Sequence, residues 1–318
     1  MRTAFALLLA LSTTCVGVEA AAQSWPLRPI RLVAPFTPSG GADVMSRIIV
    51  QALSEQLGQQ VVVDNRGGAG GRIAMELVAK SPADGYTLIL GNVSTFAILP
   101  ASGIKLPFDP RRDFQPVSLL ATSDYILTVS PTLPVHTVND VLALARAKPG
   151  TLTFGSAGTV TGPHLCGELL KMYAKVDIVH VPYKGNGPAV VALIAGEITM
   201  LFGRGSVVAH LEAGKLRGIA TTGPTRSIAS LPTMAETLPG FDVTQWYGIF
   251  APAGTPKDAV ARLQKEIAAA IARPKVAQTY INAQVEPASS TPGELASLVA
   301  ADTAKYVKVV KAAGLKAE

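Results

Sequence analysis

Two stretches of this chain place glycines where a strand hands over to a helix, the arrangement that lets backbone N–H groups grip an anion. They are Pro35-Phe36-Thr37-Pro38-Ser39-Gly40-Gly41-Ala42-Asp43 and Val63-Asp64-Asn65-Arg66-Gly67-Gly68-Ala69-Gly70-Gly71. Glycine turns with positive φ and lets a ligand come close to the main chain. The N–H groups at the start of the next helix have no intrahelical partner and lie at the positive end of the helix dipole. Two such turns near each other would hold a small carboxylate without a charged side chain. One turn alone would equally serve as a plain strand-to-helix connection; two in the first third of the chain favour a site.

Nucleotide motifs do not fit these glycines. Counting from Gly68, the sixth position of a G-x-G-x-x-G fingerprint is Ile73, and no acidic residue follows a second strand as that fingerprint requires. No Gly-Lys-Ser/Thr occurs, so there is no phosphate-binding P-loop. Groups that react covalently are equally poor. Ser156 in Phe154-Gly155-Ser156-Ala157-Gly158 is one residue out of register for a nucleophile elbow. His136, His164, His180 and His210 are too widely spaced for a helical metal-ligand set. His180, before Val181-Pro182, reads as a strand residue, whereas His164 is placed to meet a ligand. Cys166 falls in a helical pattern, where a small buried residue is expected. The expectation is a protein that is not an enzyme, with no metal and no cofactor.

The elements that would position such a site alternate. Ile30–Ala34, Val61–Val63 and Tyr86–Leu90 read as strands, and 43–57 and 72–80 as helices, the pattern of a parallel sheet. The segment 99–115 reads as a surface loop. The same grammar restarts with a strand at 125–130 and continues through strands at 151–154, 178–181, 200–202 and 216–221. Helices are expected at 138–148, capped by Thr137, and at 163–173 and 189–195. After a strand at 247–251, Thr255-Pro256 reads as a helix cap with proline in the first helical position. A further cap stands at Thr291-Pro292-Gly293-Glu294. This tail is too small for its own core and is expected to join the first lobe.

The N-terminus reads as a secretory signal: Arg2, an apolar run from Ala4 to Leu11, and the small residues Ala20-Ala21-Ala22. Nothing before Cys15 resembles a lipoprotein box. Removing residues 1–22 removes Cys15, leaves Cys166 as the only cysteine and excludes an intrachain disulfide. Arg2 and Glu19 cancel, so the net charge stays +6; the basic residues are scattered, which argues against nucleic acid and mildly favours anionic solutes. Only 6% of residues are aromatic, which disfavours a sugar-stacking site. No stretch is long and apolar enough to span a bilayer.

Several segments in order along the chain carry a family resemblance. They are 35–43, Asn65-Arg66-Gly67-Gly68-Ala69-Gly70-Gly71, Ser81-Pro82-Ala83-Asp84-Gly85-Tyr86-Thr87-Leu88, Phe154-Gly155-Ser156-Ala157-Gly158, His180-Val181-Pro182-Tyr183-Lys184-Gly185, 246–256 and 290–294. Together they resemble the Bug proteins, receptors of tripartite tricarboxylate transporters and periplasmic solute-binding proteins of Gram-negative bacteria. The resemblance implies a two-lobed α/β periplasmic-binding-protein (Venus-flytrap, type II) fold with two chain crossovers. The expected lobes are 23–124 with 250–318, and 125–249. A small carboxylate would be held in the cleft by main-chain groups and waters and passed to membrane permease subunits, or reported to a membrane sensor without transport; an exported hydrolase is the remote alternative. The protein is expected to be a periplasmic monomer.

Carried onto this sequence, the resemblance implies ligand contacts from Phe36, Ser39, Gly40, Gly41 and Asp43 in the first turn and Ala69 and Gly70 in the second. Thr95 is added from the wall beyond the third strand, and Ser156, Ala157, Thr159 and His164 from the second lobe. Two departures stand out. Ser39 replaces part of a Pro-Gly-Gly and adds a hydroxyl for a carboxylate oxygen. Gly203-Arg204 stands where relatives often carry an acid; Arg204 then either meets a second ligand carboxylate or points to solvent.

Overall fold

The computed structural model describes residues 25–205 and 207–312, so the expected export signal and Cys15 lie outside the described residues. The first strands, β1 (Ile30–Ala34), β2 (Val61–Asn65) and β3 (Thr87–Asn92), pair in parallel. Parallel neighbours need a crossover, here α1 (Gly41–Leu57) and α2 (Arg72–Ala79). β3 runs into a π-helical turn, Ser94–Ile98, and then α3 (Leu99–Ala101). β4 (Phe114–Asp124) completes the first pass, so the expected loop over 99–115 begins as helix and ends inside a strand.

The second lobe holds β5 (Ile126–Val129), α4 (Val138–Ala147), β6 (Thr153–Ser156), α5 (Gly162–Ala174) and β7 (Val179–Pro182). It continues with α6 (Asn186–Ala195), β8 (Met200–Gly203), α7 (Val208–Glu212) and β9 (Arg217–Thr221). The chain then returns through β10 (Thr244–Pro252) and α8 (Lys257–Ile271), followed by α9 (Pro274–Asn282), β11 (Glu286–Pro287) and α10 (Pro292–Ala312). The strands form two sheets, ordered β11-β4-β10-β3-β1-β2 and β7-β6-β8-β5-β9.

The two passages between sheets lie side by side. Only Tyr125 separates β4 from β5, and β10 pairs with β4 from Thr244 opposite Asp124 onward. The expected boundary at 249/250 therefore cuts through a strand of the first sheet, and the return passage ends before Thr244. Thr137 and Thr291 cap their helices as expected, each in a reciprocal pair with the acid three residues on. The Thr255 cap is shifted: Pro256 keeps an extended backbone at the N-cap, and Thr255 Oγ1 donates instead to the Pro252 carbonyl at 2.8 Å.

The tail packs on the first sheet. Leu263 and Ile267 of α8 are buried with Met45 and Ile49 of α1 in one apolar cluster, and Trp246 Nε1 donates to Asp302 of α10 at 2.7 Å. Cys166 is fully buried in the second lobe, as its helical setting suggested. No described helix is long and apolar enough to cross a membrane.

Candidate functional site

Three helices begin at the seam between the sheets, and none has its first turn bonded by the side chain of its own N-cap residue. The N-cap residues are Gly40 for α1, Thr161 for α5 and Gly185 for α6, and no side-chain cap bond forms at any of them. Residues of their first turns, Gly41 and Ala42, Pro163, and Asn186, line one small cavity of about 30 Å³. Dipole ends from both lobes thus converge on one space, with N–H groups from α1 and α6; in α5 Pro163 has no N–H to offer. Phe36, Ala157, Asn92 and Ser94 complete much of its wall.

Each lobe adds a buried tyrosine, set against a glycine that leads a helix. A Cβ at Gly41 would collide with the Tyr247 hydroxyl, and one at Gly162 with the Tyr125 hydroxyl. Glycine at these two positions is thus a requirement of close approach. Burial pushes the Tyr247 phenol up to about 12 and raises Tyr125 well above its ordinary value, so both remain neutral donors. The lobes also meet directly: Gly162 N, at the start of α5, donates to Ser94 Oγ at 2.9 Å.

Arg204 does not point to solvent. It lines the cavity, yet its Nη1 donates to Asp124 and to Ser227 Oγ, and its Nε to the Gln284 carbonyl. Both charged side chains are only 4% exposed. Burial pulls the Arg204 pKa down while Asp124 pushes it back up, and a guanidinium stays protonated throughout. Asp124 further accepts from Gly223 N and Ser227 Oγ, so the pair is internally satisfied. The positive charge of Arg204 is already balanced, which leaves the helix ends as the source of positive potential.

Arg204 and Gln245 also border a larger open groove of about 720 Å³ on the hinge side, lined by Trp246, Val285 and Leu298. No described helix begins there. Size alone therefore points away from the place where the anion-binding groups converge.

The residues expected from the sequence divide into three groups. Phe36, Gly40, Gly41, Ala157 and Arg204 line the small cavity. Ala69, Gly70 and Thr159 line a solvent-open mouth of about 490 Å³ with Tyr183 and Lys184. Gly70 has φ 63°, and a Cβ there would lie 2.8 Å from the Thr159 carbonyl, so the second glycine turn abuts the other lobe.

The rest line neither space. Ser39 is exposed, and its N–H donates to Asp43 Oδ2. Burial acts to raise the Asp43 carboxyl, but Arg47 and the Ser39 N–H outweigh it and hold it below the ordinary value. Thr95 turns inward and closes the bend after β3 through bonds with Asn92. Gly203 ends β8, opposite Ile126.

Ser156 and His164 brace the turn they were expected to present. Ser156 Oγ lies 2.6 Å from His180 Nε2 and accepts from Gly158 N at 3.1 Å. His164 Nδ1 accepts from Val160 N, and its ring stacks on His180 at 3.8 Å. A serine at that distance from an imidazole has the spacing of a nucleophile and base, but Ser156 is fully buried. Burial lowers His164 to about 3 and His180 to about 4, so both rings are neutral at pH 7.

Asn92, Ser94, Tyr125, Pro163, Asn186, Gln245 and Tyr247 line the cavity without having been singled out from the sequence. Tyr125 and Tyr247 were visible as tyrosines at strand starts. The two amides of α6 and β10 carried no local signal.

A family model described as the tripartite tricarboxylate transporter family receptor matches residues 45–315. The chain belongs to this family. A UPF0065 protein from the tcbD-tcbE intergenic region of Pseudomonas sp. strain P51 is 39% identical, with 95% of this chain and 91% of that protein covered. Protein BugT of Bordetella pertussis is 32% identical, with 96% and 95% covered. Among solved structures, a protein of R. palustris with adipate is 36% identical with TM-score 0.90, covering 92% of this chain and 99% of that one. MatC from Rhodopseudomonas palustris with bound malate is 30% identical with TM-score 0.85, covering 90% and 100%. The family is one of solute-binding receptors, and the two-lobed α/β fold is that of periplasmic binding proteins such as BugD.

Proposed function

We propose that this receptor captures a small carboxylate between its lobes and delivers it to the membrane permease of a tripartite tricarboxylate transporter. The observation that carries the reading is the convergence of three helix starts, from both lobes, on one small space whose only charged side chain among the described residues, Arg204, is already paired. A carboxylate there accepts N–H bonds from α1 on one side and from α6 on the other, with the positive dipole end of α5 beside it. Contacts made to both lobes exist only in the closed form, so the ligand shifts the lobe equilibrium toward closure. A cavity of about 30 Å³ holds a water or two, so a ligand enters as the lobes part about the paired passages at Asp124–Tyr125 and Thr244. The relatives solved with adipate and with malate support a carboxylate ligand.

The receptor acts as a monomer exported to the periplasm. A thermal-shift panel of mono-, di- and tricarboxylates, run after unfolding and refolding to strip retained ligand, tests the binding step. At least one carboxylate should raise the melting temperature with concentration, and its amide should not. Equal response to acid and amide would show that the helix starts do not hold the ligand. Loss of carboxylate uptake by cells lacking the gene, restored by adding it back, tests the transport step.

A further inference from the structure

Two oxygens in residues lining the cavity are buried without any protein partner: Asn186 Oδ1 and Gln245 Oε1. Both are hydrogen-bond acceptors. The Asn186 amide is oriented by its own network, since Nδ2 donates to the Phe202 carbonyl at 3.2 Å and leaves Oδ1 as the free atom. Gln245 is 5% exposed, so its oxygen has little access to bulk water. An unpaired acceptor in such a place is unfavourable until something donates to it.

A carboxylate cannot do so, because it only accepts. The donors of the wall suit the carboxylate instead: the N–H groups at the starts of α1 and α6 and the unpaired Tyr125 hydroxyl. The wall therefore holds two kinds of group, and both surround the same 30 Å³. A ligand whose carboxylate takes those N–H groups as the lobes close brings its neighbouring atoms to the two oxygens that share the wall. Arg204, already paired with Asp124, adds no demand for a second anion.

We infer that the preferred ligand carries a hydrogen-bond donor, a hydroxyl or an ammonium, on the carbon next to its carboxylate, and that Asn186 and Gln245 select for it. This rests on the carboxylate-binding reading above and narrows its ligand class to 2-hydroxy and 2-amino acids. A site built to pair a donor disfavours the analogue that lacks it, because its acceptors are then left buried and unpaired.

The test is titration calorimetry of stripped protein with matched sets that differ only at that carbon: propionate, lactate and alanine; succinate, malate and aspartate. The hydroxy or amino member of at least one set should bind about tenfold or more tightly than its unsubstituted partner. Gln245→Met keeps the side-chain length and removes the amide, and should reduce that preference to about threefold or less. Equal affinities within every set would overturn the inference and leave the carboxylate reading standing, with water serving the two oxygens. A preference unchanged in a folded Gln245→Met protein would overturn the assignment of Gln245. Absence of binding by every carboxylate would overturn both readings together. The wild-type comparison stands even if the variant does not fold.

Discussion

The glycine turn at 38–41 and the one at 67–71 share their residue types and come after adjacent strands of one sheet, yet only the first lines the small cavity at the seam. The difference lies in the backbone beyond the glycines. After Gly40 the chain enters α1 at once, a helix of 17 residues whose uncapped first turn faces the seam. After Gly68 it makes a short 3₁₀ turn, Ala69–Gly71, with positive φ at Gly68, Gly70 and Gly71, before the eight residues of α2. The first turn delivers a helix end to the ligand. The second offers bare backbone to the opposite lobe at Thr159. Glycine permits approach, and the direction of the next helix decides what approaches.

The largest effect expected from breaking this contrast is on the cavity side. Arg204→Ala leaves Asp124 buried and unpaired and should cost about 3–5 kcal/mol of stability. Removing both charges, as Arg204→Met with Asp124→Leu, should recover most of that loss in denaturant melts. If the double variant also keeps carboxylate affinity within about threefold, the helix ends rather than Arg204 hold the anion. Gly41→Val drives a side chain into the Tyr247 hydroxyl at the start of α1 and should weaken binding about a hundredfold, close to 2.7 kcal/mol. Wild-type affinity in that variant would refute the assignment of the first turn.

Acid tests the bracing of the turn that Gly70 meets. His180 and His164 titrate near 6.5 when unfolded but near 4 and 3 in the fold, where burial opposes their charging. The unfolded chain therefore binds more protons between about pH 6.5 and 4, and stability should fall over that window as pH is lowered. His180→Gln should flatten the slope, visible in urea melts at pH 7 and pH 4.5. The smallest effect belongs to the mouth. Gly70→Val must adopt φ near 63° and crowd the Thr159 carbonyl, which should weaken binding about tenfold through impaired closure. A hundredfold loss there, matching Gly41→Val, would erase the distinction between the turns.

Most strands and helices were legible because each carries its own period and its own stop. β4 was not. Its buried positions do not alternate, it contains Pro116, and its register against β10 shifts twice, between Tyr247 and Gly248 and between Ile249 and Phe250. Bulges of that kind erase the period of two on which strand reading depends. The site was legible in part. Phe36, Gly40, Gly41 and Ala157 come from glycine turns that announce themselves, whereas Asn186 and Gln245 are single amides on different elements. Ser156 and His164 sat in a recognisable turn but point inward, where the stacked His180 holds them.

Local backbone sterics and short motifs were enough to set the alternation of strands and helices, the glycine turns, the family and the class of ligand worth testing. Each of these depends on residues close together along the chain. Folding in three dimensions decided which helix starts converge, that Arg204 is spent on Asp124, and that two acceptor oxygens stand unpaired in the same wall. Arg204 and Asp124 lie 80 positions apart, and no local pattern links them. They meet because β8 ends against the start of β5, with Gly203 opposite Ile126, which sets Arg204 beside the passage at Asp124 and Tyr125.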